Sequence, residues 1–134
     1  MFRKTKGFFN MKVAVIGSRS LQVPNLEEYL PPEITEIVSG GAVGVDLSAR
    51  EYAAANGIKI VEFLPNYKQF GRGAPLKRNL QIIEYSDTVL AFWDGVSRGT
   101  KYVIDNCKKL GVNLQVVSVE GVLQCHNMRT PKTL

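Results

Sequence analysis

Five short, mostly β-branched apolar runs alternate with helical stretches along these 134 residues, and that alternation constrains the fold more than any other feature. Residues 12–17, 36–38, 58–64, 88–92 and 114–119 read as strands. Between them lie a short helix over 24–30, stopped by Pro31-Pro32, and an alanine-rich helix over 43–56, closed by Gly57. A third helix opens at Pro75 and puts Leu76, Leu80 and Ile83 on one face. A fourth, over 100–110, turns Val103, Ile104, Cys107 and Leu110 inward and stops at Gly111. The polar stretch 65–74, with Gly71 and Gly73, reads as a loop.

Repeated strand–helix–strand units call for an α/β fold with a mostly parallel sheet and helices on both faces. Right-handed crossovers favour a Rossmann-like three-layer sandwich with strand order 3-2-1-4-5. The length fits one domain. It divides into a basic N-terminal extension at 1–10, a domain at 11–120 and a tail at 121–134. Ligands of such sheets bind beyond the carboxyl ends of the strands, near the switch between the first and fourth.

Charge and cysteine content narrow the partners. The net charge is +5, but residues 1–12 hold four cations and 121–134 two, with no acid in either, so 13–120 carries −1. The basicity belongs to the ends, which does not favour nucleic acid as the domain's partner. Aromatic residues interleaved with basic ones, as stacking on bases requires, are not evident. The apolar run after Lys12 is too short for an export signal, and no stretch approaches a membrane span. Cys107 and Cys125 form no framework and read as reduced thiols of a cytoplasmic protein. With His126 as the sole histidine, neither a metal site nor a resident cofactor is expected.

Three predicted strand ends carry unusual turns: Gly17-Ser18-Arg19-Ser20, Ser39-Gly40-Gly41-Ala42-Val43-Gly44-Val45-Asp46, and Asp94-Gly95-Val96-Ser97-Arg98-Gly99-Thr100. Glycines there allow positive φ and close backbone approach, and each following helix offers unpaired N–H groups and the positive end of its dipole. A phosphate is the ligand such turns suit. Neither glycine turn fits the P-loop or the dinucleotide fingerprint. Lys68, Arg72, Lys77 and Arg78, with Arg19 and Arg98, make the same rim positive. Asp46 is placed either to meet a ribose or to cap its own helix, Trp93 and Tyr67 either to stack on a base or to pack in the core.

These segments resemble the SLOG superfamily, the Rossmann-like group that includes DNA-processing protein A and the Lonely Guy hydrolases, and within it the small YspA-related branch. The resemblance runs from about Lys12 to Val119, through Gly17-Ser18-Arg19, residues 39–46, Gly73-Ala74-Pro75-Leu76-Lys77-Arg78-Asn79, and Ser86-Asp87 to Gly99-Thr100. It implies a nucleotide or nucleotide-derived ligand, with Gly40, Gly41 and Gly44 cradling phosphate and Gly99 and Thr100 meeting phosphate or ribose. It implies further that Arg78 meets the ligand, that Asn79 supports its loop, and that copies of the chain pair as a homo-oligomer.

Two places depart from that pattern, and the first is the glycine pair before Gly99-Thr100, which is Ser97-Arg98 here. Where the Lonely Guy hydrolases carry a glutamate for acid–base work on the N-glycosidic bond, this chain has Val103, which moves no proton. Asp94, at a strand end, is the one catalytic candidate that remains; Asp105 reads as solvated. Binding or sensing of a nucleotide is therefore the leading expectation. A nucleoside monophosphate phosphoribohydrolase or related N-glycosidase is the alternative, and a single-stranded DNA-binding module the second.

Overall fold

The computed structural model describes residues 11–118 and the backbone of 123–124. The N-terminal extension and most of the tail, with Cys125, His126, Arg129 and Lys132, lie outside the described residues. In chain order the strands are β1 (Lys12–Gly17), β2 (Leu21–Gln22), β3 (Glu36–Ser39), β4 (Lys59–Glu62), β5 (Thr88–Phe92), β6 (Asn113–Val117) and β7 (Leu123–Gln124). The α-helices are α1 (Val45–Asn56), α2 (Tyr67–Phe70), α3 (Ala74–Tyr85) and α4 (Arg98–Leu110).

Five strands form one parallel sheet in the order β4-β3-β1-β5-β6, with β1 in register between β3 and β5. Counting those five alone, the order is the expected 3-2-1-4-5. β2 and β7 pair antiparallel beside it.

The two-residue period of each strand sends alternate side chains to opposite faces. Val13, Val15, Ile37, Leu90 and Phe92 pack with Val45, Ala49 and Ala53 of α1 on one face. Ala14, Ile16, Val38, Val89 and Ala91 pack with Ile82 and Ile83 of α3 and with Val103, Ile104 and Cys107 of α4 on the other. Each face buries one apolar stripe per helix, which is what fixes the three layers. Trp93 is half-buried against the second cluster, its Nε1 donating to the Ser97 carbonyl at 3.0 Å.

Several local expectations change. The stretch 24–30 makes only a 3-10 turn at Leu26–Glu28, because the few residues between Pro24 and Pro31 cannot repay helix nucleation. The stretch 65–74 is not a loop: it holds α2 and a further 3-10 turn at Gly71–Gly73. The Asn66 side chain starts α2 by accepting the Gln69 N–H at 3.1 Å. Leu110 is 54% exposed at the last turn of α4, not inward, and Leu76 is exposed on α3. α4 also begins two residues early, because Ser97 Oγ accepts the Thr100 N–H at 3.4 Å.

Candidate functional site

All three unusual turns lie at the carboxyl edge of the sheet, and the protein closes a cleft of about 290 Å³ between them. Nine of the residues singled out in the sequence line it: Gly17, Arg19, Gly40, Ala42, Asp46, Arg78, Asn79, Gly99 and Thr100. Ser18, Ser39, Gly41, Gly44, Asp94 and Gly95 do not line it. Most of them hold the wall from behind. Other hollows, beside α1 and over β5 and β6, gather none of these turns together.

The first turn is fixed by close packing. A Cβ at Gly17 would lie 2.5 Å from the Phe92 carbonyl oxygen and 2.7 Å from Val45 Cγ2, so only glycine lets β1 end against β5 and α1. Ser18 is buried; its N–H donates to the Phe92 carbonyl and its Oγ accepts the Asp94 N–H. The next contact ties this turn to the second. Gly44 has φ +74°, and a Cβ there would lie 2.5 Å from the Arg19 carbonyl oxygen.

In the second turn the amides are already engaged. Gly41 N–H donates to Ser39 Oγ at 3.1 Å, and Ala42 N–H donates to Asp46 Oδ2 at 3.1 Å. Asp46 thus reaches back over the turn and does not cap α1, whose N-cap, Gly44, has no side-chain bond. Burial pushes the Asp46 carboxyl upward from its ordinary value, while the Ala42 and Gly40 amides and the Arg78 charge pull it down. Arg78 comes from α3. Its Nη1 donates to the carbonyls of Gly40 at 2.7 Å and Phe63 at 3.3 Å, and its Nε donates to Asn79 Oδ1 at 2.8 Å.

The third turn is organised by Asp94. Its Oδ1 accepts the N–H groups of Val96 and Ser97 at 2.9 and 2.8 Å, and its Oδ2 accepts the Ser20 hydroxyl at 3.1 Å. Partial burial pushes its carboxyl up, but those hydrogen bonds outweigh it and hold the group below its ordinary value. A carboxylate so engaged is a brace for the turn and a poor proton donor. Thr100 is buried, and its Oγ1 accepts from Ser97 Oγ at 3.2 Å. Val103 is 2% exposed, between the cleft and the core. Asp105 is solvated and pairs with Lys101 at 2.8 Å.

Sequence reasoning missed Ser97 and Ser20, the residues that lock Asp94 and α4 together. The signal for Ser97 was available, since a serine directly before a helical stretch is a helix N-cap pattern. Tyr67, 61% exposed, lines the cleft, so it is not a core residue. With Phe70, Lys68, Arg72 and Lys77 it makes the interleaving of aromatic and basic residues that was not evident in the sequence. Lys77 Nζ lies 5.5 Å from the Phe70 ring. Among the described residues, Arg19, Lys68, Arg72, Lys77 and Arg98 form no ion pair. No group of three or more metal-ligating side chains occurs among the described residues, and no helix there is long and apolar enough to cross a membrane.

No protein family and no curated protein matches the chain. Among solved structures it is similar to DNA processing protein A (DprA) from Streptococcus pneumoniae, at 20% identity and a TM-score of 0.69 over 93% of this chain. The match spans 58% of that protein, so the likeness is one of fold: this chain has the Rossmann-like α/β architecture found in part of DprA.

Proposed function

We propose that this domain binds or senses a nucleotide or nucleotide-derived ligand in the cleft between the three turns. The observation that carries the reading is the convergence of Arg19, Asp46, Arg78 and the Gly99 start of α4 on one 290 Å³ cleft at the carboxyl edge of a parallel sheet. The resemblance to SLOG proteins, and to their small YspA-related branch, supports it. Binding without cleavage is favoured, because Val103 stands where the hydrolases carry their glutamate and Asp94 is spent on its own turn.

A thermal-shift panel of mononucleotides, cyclic nucleotides and ADP-ribose tests this, since a ligand of the folded state raises the melting temperature. Gly99→Glu is the informative variant. A Cβ at Gly99 meets nothing within 4 Å, so the fold tolerates the change while the cleft gains bulk and negative charge. The expected result is a ligand-induced rise in the parent that the variant lacks, with equal melting temperatures when unliganded. No rise with any nucleotide ends the proposal.

A second reading, single-stranded nucleic acid, rests on Tyr67, which lines the cleft and shares α2 with Lys68 and Phe70, and on Lys77, whose Nζ lies 5.5 Å from the Phe70 ring. The likeness in fold to DprA, a DNA processing protein, agrees with it. Oligonucleotide binding that weakens steeply between low and moderate salt, and that Tyr67→Ala reduces, is its expected signature. Undetectable binding at low salt removes it.

A further inference from the structure

The cleft is electrostatically divided, and the division fixes how a nucleotide lies in it. Asp46 is the one carboxylate among its lining residues, and it is 8% exposed. It sits on the glycine turn, with Oδ2 on the Ala42 amide, while Ser39 Oγ takes the Gly41 amide. A phosphate brought to those amides would have to displace the Asp46 carboxylate from Ala42 and the Ser39 hydroxyl from Gly41, and would meet a like charge. The Arg78 charge is already set against the Asp46 carboxylate, and its Nη1 and Nε donors are held by the Gly40 and Phe63 carbonyls and by Asn79, so this side of the cleft offers a compensated pair and not a free cation.

The rest of the cleft has the opposite character. Arg19 carries a charge without an ion pair among the described residues. Gly99 opens α4 with free space above its Cα, where backbone dipoles favour an anion. An anionic group is therefore stabilised at Arg19 and Gly99, and a hydroxyl donor at Asp46, since an ionised carboxylate only accepts hydrogen bonds.

We infer that the ligand lies with its phosphate at Arg19 and Gly99 and its sugar hydroxyls at Asp46, so that Asp46 selects ribonucleotides over nucleotides lacking the ribose diol. The inference deepens the proposed function and rests on it. Asp46 is a specificity-determining residue here, and the glycine turn serves to present its carboxylate.

Calorimetric titration of matched ribonucleoside and 2′,3′-dideoxyribonucleoside monophosphates into the full chain tests it. The parent binds the ribonucleotide at least about tenfold more tightly, the range of a hydrogen bond to a charged group. Asp46→Asn keeps an acceptor for the Ala42 amide and shrinks that ratio to below about threefold. Arg19→Ala weakens both members of a pair alike and leaves the ratio intact. Equal affinities in the parent, or a preference that survives in Asp46→Asn, overturn the inference while leaving nucleotide binding standing. If neither member of any pair binds, the proposed function falls and takes this inference with it.

Discussion

Arg78 Nη1 lies 2.7 Å from the carbonyl oxygen of Gly40, and a Cβ at residue 40 would stand 2.7 Å from that same nitrogen. The guanidinium therefore fills the space that a side chain would need. Thirty-eight residues apart in sequence, an arginine of α3 and a glycine after β3 are one structural unit. The arginine holds the turn open on the cleft side, and the glycine leaves it room. Resemblance alone gives Arg78 to the ligand; the geometry gives it first to the protein.

That unit is measurable as a coupling. Gly40→Ala forces the guanidinium from its two carbonyls and is expected to cost about 1–3 kcal/mol. Arg78→Ala removes the obstruction. In the double variant the Gly40→Ala penalty should shrink, giving a coupling of at least about 0.5 kcal/mol in a urea-denaturation cycle. Simple additivity would show that the two residues act separately.

Two glycines of the site should respond oppositely. Gly44 combines φ +74° with contact on the Arg19 backbone, which cannot swing away. Gly44→Ala should destabilise by about 2–3 kcal/mol. Gly99 sits in the first turn of α4 with open space around it, so Gly99→Ala should be neutral or gain up to about 1 kcal/mol from helix propensity. Melting curves of the two variants check the contrast; equal losses would mean that Gly99 is structurally required.

The sheet was legible in the sequence because each strand carries its own apolar run and each long helix its own period. Leu90 and Phe92 against Val89 and Ala91 show that alternation directly. α2 was not legible, since one turn has no period and its only mark is the cap at Asn66. The site was legible in its residues more than in their roles. Gly17, Arg19, Asp46, Arg78 and Gly99 do meet at one cleft. Yet whether an amide faces a ligand or an internal acceptor is a three-dimensional fact. Ser39 on Gly41, Asp46 on Ala42 and Asp94 on Val96 and Ser97 are choices among short-range partners that spacing does not decide.

Asp94 should matter more to the fold than to any chemistry. Asp94→Ala releases the Val96 and Ser97 amides and the Ser20 hydroxyl, an expected loss of about 1–2 kcal/mol near neutral pH. Its folded pKa is lowered, so this stability is present above the ordinary value of 3.8 and disappears as pH falls through the lower folded value. Urea midpoints of parent and variant should therefore converge in acid. A gap that persists at the lowest pH would assign the effect to packing.

Asp46 should show the opposite sign at the same sheet edge. Burial raises its folded pKa above 3.8, against the pull of the Ala42 and Gly40 amides and Arg78, with Glu62 adding a repulsive push. The folded state therefore binds this proton more tightly than the unfolded chain does. Below 3.8 both states are protonated and the carboxyl has no electrostatic cost. As pH rises through the interval up to the folded value, the unfolded chain ionises first, and folding loses stability that it does not regain above that value. Asp46→Asn carries no titrating group and keeps an oxygen for the Ala42 amide. Its stability relative to the parent should thus increase as pH climbs from below 3.8, then hold a constant offset. A stability difference that stays flat would mean that the Ala42 and Gly40 amides and Arg78 balance desolvation, and one that reverses would mean that they outweigh it.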